Sequence, residues 1–540
     1  MDYSGRVAEI GVGMHEPHGA KTLNELADYW ADTKPDHIGY RFEGRETSFS
    51  DFRNTTVRLS RALRAAGIRK GDRIAWIGKN SDRYFTLLFA AARASAVTVP
   101  IGWRLSPKEM AFILEDAGAV AVVASPEFVE LARELAAGIP AIRWVLASEQ
   151  GCGIASPEEF MAENINAPEL DTLPQPDDAL VQLYTSGTTG NPKGVVLTHD
   201  NFLKNAGEEL PDTPSWDIWE EHEAGLQVMP IAHIAGTGYG IMPMNRGVSC
   251  NIVAEFNPGE ILDLIHSKQL TRFFLVPAAL QMLINDPKTE QTDTSGVVQI
   301  NYGASPMPLQ LLRDCMKAFP NAGFCQFYGM TETTGTIIVL EPDDHDPDGN
   351  EKMRSAGRPL PGIEVKIVDE TGNEVGVREV GEICTRSNAN MAHYWKQPEK
   401  TAETVDKDGW LRTGDAAYRD TEGYIYIHDR MKDMIITGGE NVYPAEVENA
   451  LYEHPSVSEA AVIGIPDEKW GEAVKAIVVP KPNQEIDEEH VIGFVRERIA
   501  GFKAPKSVDV IEIMPRNASG KILRKDLRAP YWAGKDRQVN

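Results

Sequence analysis

The sequence carries, at residues 184–194, the run YTSGTTGNPKG, in which glycines and hydroxyl side chains precede a lysine. Apolar residues flank it at 180–183 and 195–197, which predicts two short strands joined by a flexible loop. Backbone N–H groups and hydroxyls of such a loop can donate to phosphate oxygens, and Lys193 adds a positive charge. The run therefore predicts a loop that binds a polyphosphate.

This loop differs from the common P-loop of nucleotide-binding proteins. Counting from Gly187, Pro192 stands where the P-loop needs its second glycine, and Lys193 is followed by Gly194 instead of Ser or Thr. A P-loop also opens a helix, whereas an apolar run typical of a strand follows here. The alternative of a surface hairpin rich in small residues stays open on composition alone.

The surrounding sequence predicts an α/β fold with at least two domains, as expected for 540 residues. Between about 23 and 283, strand-like runs such as 73–77 and 119–124 alternate with helix-like runs such as 84–94 and 107–117. Short strands separated by turns predict a β-rich subdomain over 357–427. We expect a large domain over 1–431 and a small α+β domain over 432–540.

The overall charge argues against a general nucleic-acid-binding surface, because 80 acidic residues outnumber 54 basic ones. The last forty residues reverse this balance, with nine basic and four acidic residues, and are a candidate anion-binding surface or a solvated charged one. Five scattered cysteines predict no disulfide or zinc site. No secretory signal or membrane span is evident, so we expect a cytoplasmic protein, and a homodimer is left open.

The complete run at 184–194 resembles the phosphate-binding signature of the adenylate-forming superfamily, which includes acyl-CoA synthetases, nonribosomal peptide adenylation domains and firefly luciferase. Further motifs follow in the family's order, so the resemblance extends from about 23 to 528. It implies that a carboxylic acid and ATP form acyl-AMP and pyrophosphate, and that the acyl group then passes to coenzyme A. ATP, Mg²⁺ and coenzyme A are the cofactors implied, and the partner is a small-molecule substrate that carries a carboxylic acid.

The resemblance also implies roles for individual residues. The ATP contacts would come from Thr185, Ser186, Gly187, Thr188, Thr189, Gly190, Lys193, Gly303, Ala304, Ser305, Tyr328, Gly329, Thr331, Asp415 and Arg430. Among them, Tyr328 would pack on adenine, and Asp415 and Arg430 would bind the ribose. Glu332 would hold Mg²⁺, and Thr185, Glu332, His233 and Lys521 form the catalytic set. His233 would gate between the acid and the thiol.

Lys521 would bridge the acid's carboxylate and the α-phosphate, and the small domain would rotate about Lys432 between the two half-reactions. After rotation, Gly438, Gly439 and Trp470 would line the pantetheine channel, and Phe502, Lys503 and Lys506 would meet the nucleotide of coenzyme A. Two points weaken this assignment. Trp470 could be an ordinary core residue, and Ala504 stands where some relatives have a further basic residue.

The acid is the main open question. Small residues suggest a pocket for a medium-chain, long-chain or bulky acid, or they mark close backbone contacts; they are Gly236, Gly238, Gly240, Gly303, Ala304 and Gly335. A peptide-synthesis enzyme is disfavoured because no aspartate occurs between Met229 and Gly240. A ligase for a separate acyl-carrier protein, a non-catalytic nucleotide-binding relative and a luciferase-like oxygenase remain alternatives.

Overall fold

The computed structural model describes residues 19–170, 173–185, 192–203, 214–430, 433–438, 440–467, 469–516 and 522–533, with the backbone alone at 429–430. The helices in these ranges are α1 Leu23–Thr33, α2 Phe49–Ala65, α3 Asp82–Arg93, α4 Pro107–Ala117, α5 Val129–Ala137, α6 Pro157–Glu163, α7 His199–Leu203, α8 Ile234–Asn245, α9 Pro258–His266, α10 Pro277–Ile284, α11 Leu309–Ala318, α12 Pro398–Thr404, α13 Pro444–Tyr452, α14 Glu488–Arg496 and α15 Arg524–Trp532.

The strands in the same ranges form four sheets. They are β1 Ile38–Phe42, β2 Arg45–Ser48, β3 Arg73–Ile77, β4 Val97–Ile101, β5 Ala119–Ala124, β6 Trp144–Ala147, β7 Ala179–Thr185, β8 Lys193–Thr198, β9 Ala224–Gln227, β10 Ser249–Ile252, β11 Arg272–Leu275, β12 Gln299–Gly303, β13 Gly323–Met330, β14 Gly335–Leu340, β15 Arg358–Pro359, β16 Glu364–Val368, β17 Gly381–Arg386, β18 His393–Tyr394, β19 Leu411–Arg419, β20 Ile425–Arg430, β21 Ile435–Thr437, β22 Glu440–Val442, β23 Val457–Asp467, β24 Gly471–Pro480 and β25 Ser507–Val510.

The first sheet holds the predicted phosphate-binding hairpin. Its order is β18-β8-β7-β4-β3-β5-β6, with β7, β4, β3, β5 and β6 parallel and β8 and β18 added antiparallel at one edge. Local signals set its elements: α4 begins at a Ser106 capping box with Pro107 in its first turn, and it ends at Gly118, whose φ is +67°. The predicted strands 73–77 and 119–124 and the helix 107–117 are confirmed residue for residue.

The second sheet has the order β15-β14-β13-β12-β11-β9-β10-β1-β2 and is parallel from β13 to β1. Because β12 and β13 are parallel neighbours, their carboxyl ends meet at one edge of the sheet, where ligands bind in folds of this kind. One hydrophobic core joins both sheets, since it contains Tyr40 and Cys250 of the second sheet together with Leu183 and Val195 of the first. The large region is therefore a layered α/β structure.

The β-rich subdomain and the small C-terminal unit each have a sheet of their own. The third sheet is antiparallel in the order β16-β17-β19-β20. The fourth has the order β22-β21-β24-β23, with β25 parallel to β24, and α13 and α14 pack on it around a separate core. The α/β class with an α+β C-terminal unit is confirmed, and the boundary at 431/432 stays a prediction. No helix within the described ranges is long and apolar enough to cross a membrane.

Candidate active site

The hairpin predicted to bind phosphate is fixed at its base by side chains of the first sheet. Thr185 at the end of β7 pairs with Lys193 at the start of β8, so the loop connects two residues that lie opposite each other. The Tyr184 hydroxyl donates to Asp116 Oδ2 over 2.6 Å, and Gln182 Nε2 donates to that hydroxyl over 2.9 Å. Five predicted phosphate contacts lie outside the described residues: Ser186, Gly187, Thr188, Thr189 and Gly190.

The glycine that distinguishes this loop from a P-loop is required by packing. A Cβ at Gly194 would lie 2.6 Å from Gln182 Nε2 and 3.2 Å from Trp395 Cβ. A serine or threonine there would displace the Gln182 amide, which holds the Tyr184 hydroxyl. The departure from the P-loop pattern therefore has a structural cause in this fold.

Two predicted nucleotide segments meet at the edge formed by β12 and β13. Gly303 is paired with Phe327, and a Cβ at Gly303 would lie 2.0 Å from the Phe327 carbonyl oxygen. Position 329 also requires glycine, because a Cβ added there would lie 1.8 Å from the Gly335 carbonyl oxygen. Ala304 is exposed with φ of +63°, Ser305 follows it, and Thr331 opens the next turn. Close backbone contacts therefore require glycine at 303 and 329, and the exposed Ala304 is the small residue that a flat ligand could meet at this edge.

The predicted adenine and ribose residues are in direct contact. The Tyr328 hydroxyl donates to Asp415 Oδ2 over 2.6 Å, and Asp415 is buried. Asp415 also lies opposite Arg430 in the β19/β20 pairing, although the Arg430 side chain lies outside the described atoms. A carboxylate held in this way can accept hydrogen bonds from a pair of hydroxyls.

Glu332 is the predicted metal ligand and is buried, with a relative exposure of 6%. Its Oε1 accepts a 2.8 Å hydrogen bond from the Tyr394 hydroxyl, and its backbone carbonyl accepts one from Met391 N–H. Lys193 Nζ lies 5.4 Å from the centre of the Tyr394 ring. Burial, with a smaller contribution from Lys400, lowers the pKa of the Lys193 ammonium, and the charge of Glu332 opposes that shift.

His233 precedes the first residue of α8, close to the turn that follows Glu332. The neighbouring Ile234 lies 3.8 Å from the position of a Cβ on Gly335. Burial lowers the pKa of His233 to about 4, so the imidazole is neutral at physiological pH. A neutral ring can act as the steric gate that the resemblance implies, without adding charge to the pocket.

The small residues near α8 serve two different purposes. A Cβ on Gly236 would lie 2.1 Å from the Pro230 carbonyl oxygen, and one on Gly240 would lie 1.9 Å from the Phe85 ring. These glycines, like Gly303, are explained by close packing. A Cβ on Gly238, in contrast, would meet nothing within 4 Å. Only part of the set is therefore evidence for an acyl pocket.

The predicted contacts for coenzyme A that the structure describes all lie on the C-terminal unit. Trp470 packs against Gly438 and is 44% exposed, which excludes the core alternative, and Phe502 is 42% exposed. Lys503 Nζ donates to both oxygens of Glu446 at 2.8 Å, whereas Lys506 is exposed. Lys432, Gly439 and Lys521 lie outside the described ranges.

The C-terminal unit also accounts for two other features of the sequence. Ala504 is fully buried in its core, so a basic side chain at that position would not fit this packing. Much of the basic excess is matched by acids of the same unit, in the pairs Arg516–Glu459, Arg524–Glu448 and Arg528–Asp433. The interpretation of the tail as a broad anion-binding surface is therefore not supported.

Two groups of residues were missed by sequence reasoning. Tyr394 lies on a two-residue strand 62 positions from Glu332, and no local pattern links the two residues. On the large domain, Arg104 and Lys79 lie over Trp103 at 4.1 and 5.3 Å, and both pair with Glu255. The preceding Gly102 lies close to Ala232, next to His233. An aromatic residue next to arginine at 103–104 was the available signal for the second group.

Comparison with known proteins places this geometry in a family. The family model described as AMP-binding enzyme matches residues 27–395, and that of the AMP-binding enzyme C-terminal domain matches 446–521. A fatty acid–[acyl-carrier-protein] ligase of Streptomyces coeruleorubidus is 38% identical over 98% of this chain and 99% of its own length. A feruloyl-CoA synthase of an Amycolatopsis species is 36% identical over 93% and 97%.

Solved structures agree with this placement. An anthranilate CoA ligase in complex with anthranoyl-AMP matches with a TM-score of 0.85 and 26% identity, over 94% of this chain and 97% of its own. ATP-bound MatB from Rhodopseudomonas palustris matches with a TM-score of 0.82 and 30% identity, over 94% and 99%. The chain therefore belongs to the AMP-binding enzymes of the adenylate-forming superfamily and is an adenylate-forming acid ligase.

Proposed function

We propose that this enzyme activates a medium-chain, long-chain or bulky carboxylic acid with ATP and transfers the acyl group to coenzyme A. The observation that carries the first step is the hydrogen bond from the Tyr328 hydroxyl to Asp415, which joins the adenine and ribose segments into one surface. In this assignment the hairpin at 184–194 binds the phosphates. The acid's carboxylate attacks the α-phosphorus, pyrophosphate leaves, and acyl-AMP remains.

Charge determines the difficulty of this step, because the carboxylate and the triphosphate are both anionic. Lys193 supplies one positive charge at the end of the hairpin, and Lys521 is assigned to the point where the two anions meet. A cation placed where charge accumulates stabilises the transition state more than the ground state. We therefore assign Lys521 to catalysis and Lys193 to phosphate binding.

The described residues fit a magnesium ion that is held mainly by the nucleotide. No cluster of three or more His, Cys, Asp or Glu side chains in the described ranges could form a metal site without help. Mg²⁺ characteristically uses one or two carboxylates together with phosphate oxygens and waters. Glu332 is the carboxylate in position, and bound Mg²⁺ would neutralise part of the triphosphate charge.

The second step is assigned to the exposed aromatic residues of the C-terminal unit. Trp470 against Gly438 and the exposed Phe502 form apolar surface suited to a pantetheine arm. On the large domain, Trp103 offers a ring to a nucleotide, and Arg104 and Lys79 beside it carry two positive charges that Glu255 partly offsets. Rotation about Lys432 would bring the C-terminal surface to the acyl-AMP once Lys521 has withdrawn.

The adenylation assignment is tested by Lys521→Ala, with Lys525→Ala as the matched control because Lys525 is an exposed lysine of the same segment. We expect Lys521→Ala to abolish acid-dependent exchange of pyrophosphate into ATP and to spare thioester formation from supplied acyl-AMP. Lys525→Ala should preserve both reactions. Unchanged exchange in Lys521→Ala would remove this lysine from the mechanism.

A carrier protein is the second candidate acceptor. The relative with 38% identity is a fatty acid–[acyl-carrier-protein] ligase. In addition, Lys503 is already paired with Glu446, so this lysine is less available to bind the phosphates of coenzyme A. The two candidates are separated by offering coenzyme A and a holo acyl-carrier protein at equal concentration with acids from two carbons to long chains, including aromatic ones. If the thioester forms on the carrier protein and not on coenzyme A, the carrier protein is the acceptor and the assignment of coenzyme A is wrong.

A further inference from the structure

We propose that Tyr394 is a positioning residue of the adenylation step, which orients Glu332 so that one carboxylate oxygen is presented to the magnesium–nucleotide complex. This inference rests on the proposed function, since it assigns Glu332 to Mg²⁺. Tyr394 lies on β18, far in sequence from both the hairpin and the 328–332 segment. Its contacts nevertheless reach both of them.

The hydroxyl of Tyr394 donates a hydrogen bond to one oxygen of the Glu332 carboxylate and does not contact the other oxygen. Tyr394 and Glu332 are each 6% exposed, and the 2.8 Å bond goes to Oε1. Glu332 Oε2 has no hydrogen-bond partner within the described ranges. A buried carboxylate held by one oxygen has a fixed rotamer, and its second oxygen can bind a cation. Outer residues that orient a metal ligand in this way affect metal affinity strongly.

The backbone around Tyr394 connects the two sheets that form the site. Trp395 N–H donates to the Gly194 carbonyl over 2.7 Å, and Ala392 N–H donates to Val196, both on β8. Met391 N–H donates to the Glu332 carbonyl over 2.8 Å. The segment 391–395 therefore ties the phosphate hairpin of the first sheet to the metal ligand of the second, and Tyr394 lies between these attachments.

The ring of Tyr394 contributes separately from its hydroxyl. Lys193 Nζ lies 5.4 Å from the ring centre, within the range of a cation–π interaction. A phenylalanine would keep this contact and lose the hydrogen bond to Glu332, whereas a leucine would lose both. The two substitutions thus separate metal orientation from placement of the lysine.

The experiment measures Mn²⁺ binding by electron paramagnetic resonance, in the presence of α,β-methylene ATP, which cannot react at the α-phosphorus. We expect Tyr394→Phe to raise the apparent Kd of Mn²⁺ about tenfold or more, the usual effect of losing such an orienting contact. The Mg²⁺ concentration for half-maximal pyrophosphate exchange should rise in parallel. The KM of the acid should stay unchanged, and Tyr394→Leu should additionally weaken binding of the analogue without metal.

Tyr424→Phe is the matched control, because Tyr424 is also buried and donates to Asp344 over 2.7 Å, away from the site. It should leave Mn²⁺ binding unchanged. A double variant with Glu332→Gln should bind Mn²⁺ no more weakly than Glu332→Gln alone, because the tyrosine acts through this carboxylate. Wild-type Mn²⁺ affinity in a folded Tyr394→Phe would overturn the inference, whereas lack of exchange in the wild-type enzyme with every acid would instead overturn the proposed function.

Discussion

Replacing two glycines of α8 by alanine distinguishes close packing from an acyl pocket. Gly238 and Gly240 lie on the same helix, two residues apart. Each substitution adds one methyl group, and each should gain about 1 kcal/mol of helix propensity relative to glycine. The propensity gain cancels when the two variants are compared. Any difference in their stability therefore reports what surrounds the added methyl group.

The surroundings differ sharply. A Cβ on Gly240 would lie 1.9 Å from the ring of Phe85, which is fully buried and stacks on Tyr40 at 5.4 Å. The ring would have to retreat by about 1.6 Å to reach a normal separation of 3.5 Å. Overpacking of this kind costs about 1–3 kcal/mol. A Cβ on Gly238 meets nothing within 4 Å and has no such cost.

We therefore expect Gly240→Ala to be less stable than Gly238→Ala by about 1–3 kcal/mol in urea unfolding followed by tryptophan fluorescence. For activity we expect the opposite order, with the larger effect in Gly238→Ala. If Gly238 lines the acyl pocket, its alanine variant should lower kcat/KM for the longest accepted acid by about fourfold, the equivalent of one buried methylene. Equal stability of the two variants would refute the packing argument, and unchanged selectivity in Gly238→Ala would exclude it from the pocket.

Two further predictions concern stability. Burial lowers the pKa of His199, His233 and His345 to about 4, so these side chains take up protons in the unfolded chain before they do in the folded one as the pH falls. The contribution of each of these histidines to the free energy of unfolding should be constant above pH 6.5 and fall by up to about 1.4 kcal/mol per pH unit down to pH 4. Urea unfolding at pH 7.5 and 5.0 measures this loss of stability, and His345→Gln should make the loss smaller. Equal free energies of unfolding at the two pH values would contradict the prediction. Glu448→Ala removes the closest carboxylate from the half-buried guanidinium of Arg524, which keeps Asp433 at 3.8 Å, and should destabilise the C-terminal unit by about 1–3 kcal/mol. The loss should appear as faster hydrogen exchange at 440–510. The exposed Glu485→Ala should have no such effect, and equal exchange in both variants would refute the assignment.

Sequence reasoning succeeded where neighbouring residues carry the information. The helix at 107–117 was predicted to the residue, and structure shows Ser106 and Gly118 at its ends as capping residues. The family was identified from short runs such as 184–194 and 328–332, whose chemistry depends on residues adjacent in the chain. Their assignment to ATP required no knowledge of how distant segments meet.

The tertiary structure decided the features that depend on distant contacts. Sequence alone could not separate Gly238 from Gly240, because the difference is the position of the Phe85 ring on another helix. It could not show that Arg516, Arg524 and Arg528 of the basic tail pair with acids on other elements of the C-terminal unit. Hydrogen bonds and caps within a turn are encoded locally, whereas the pairing of Tyr394 with Glu332 exists only because β18 adds to one sheet beside the turn that ends β13 of another.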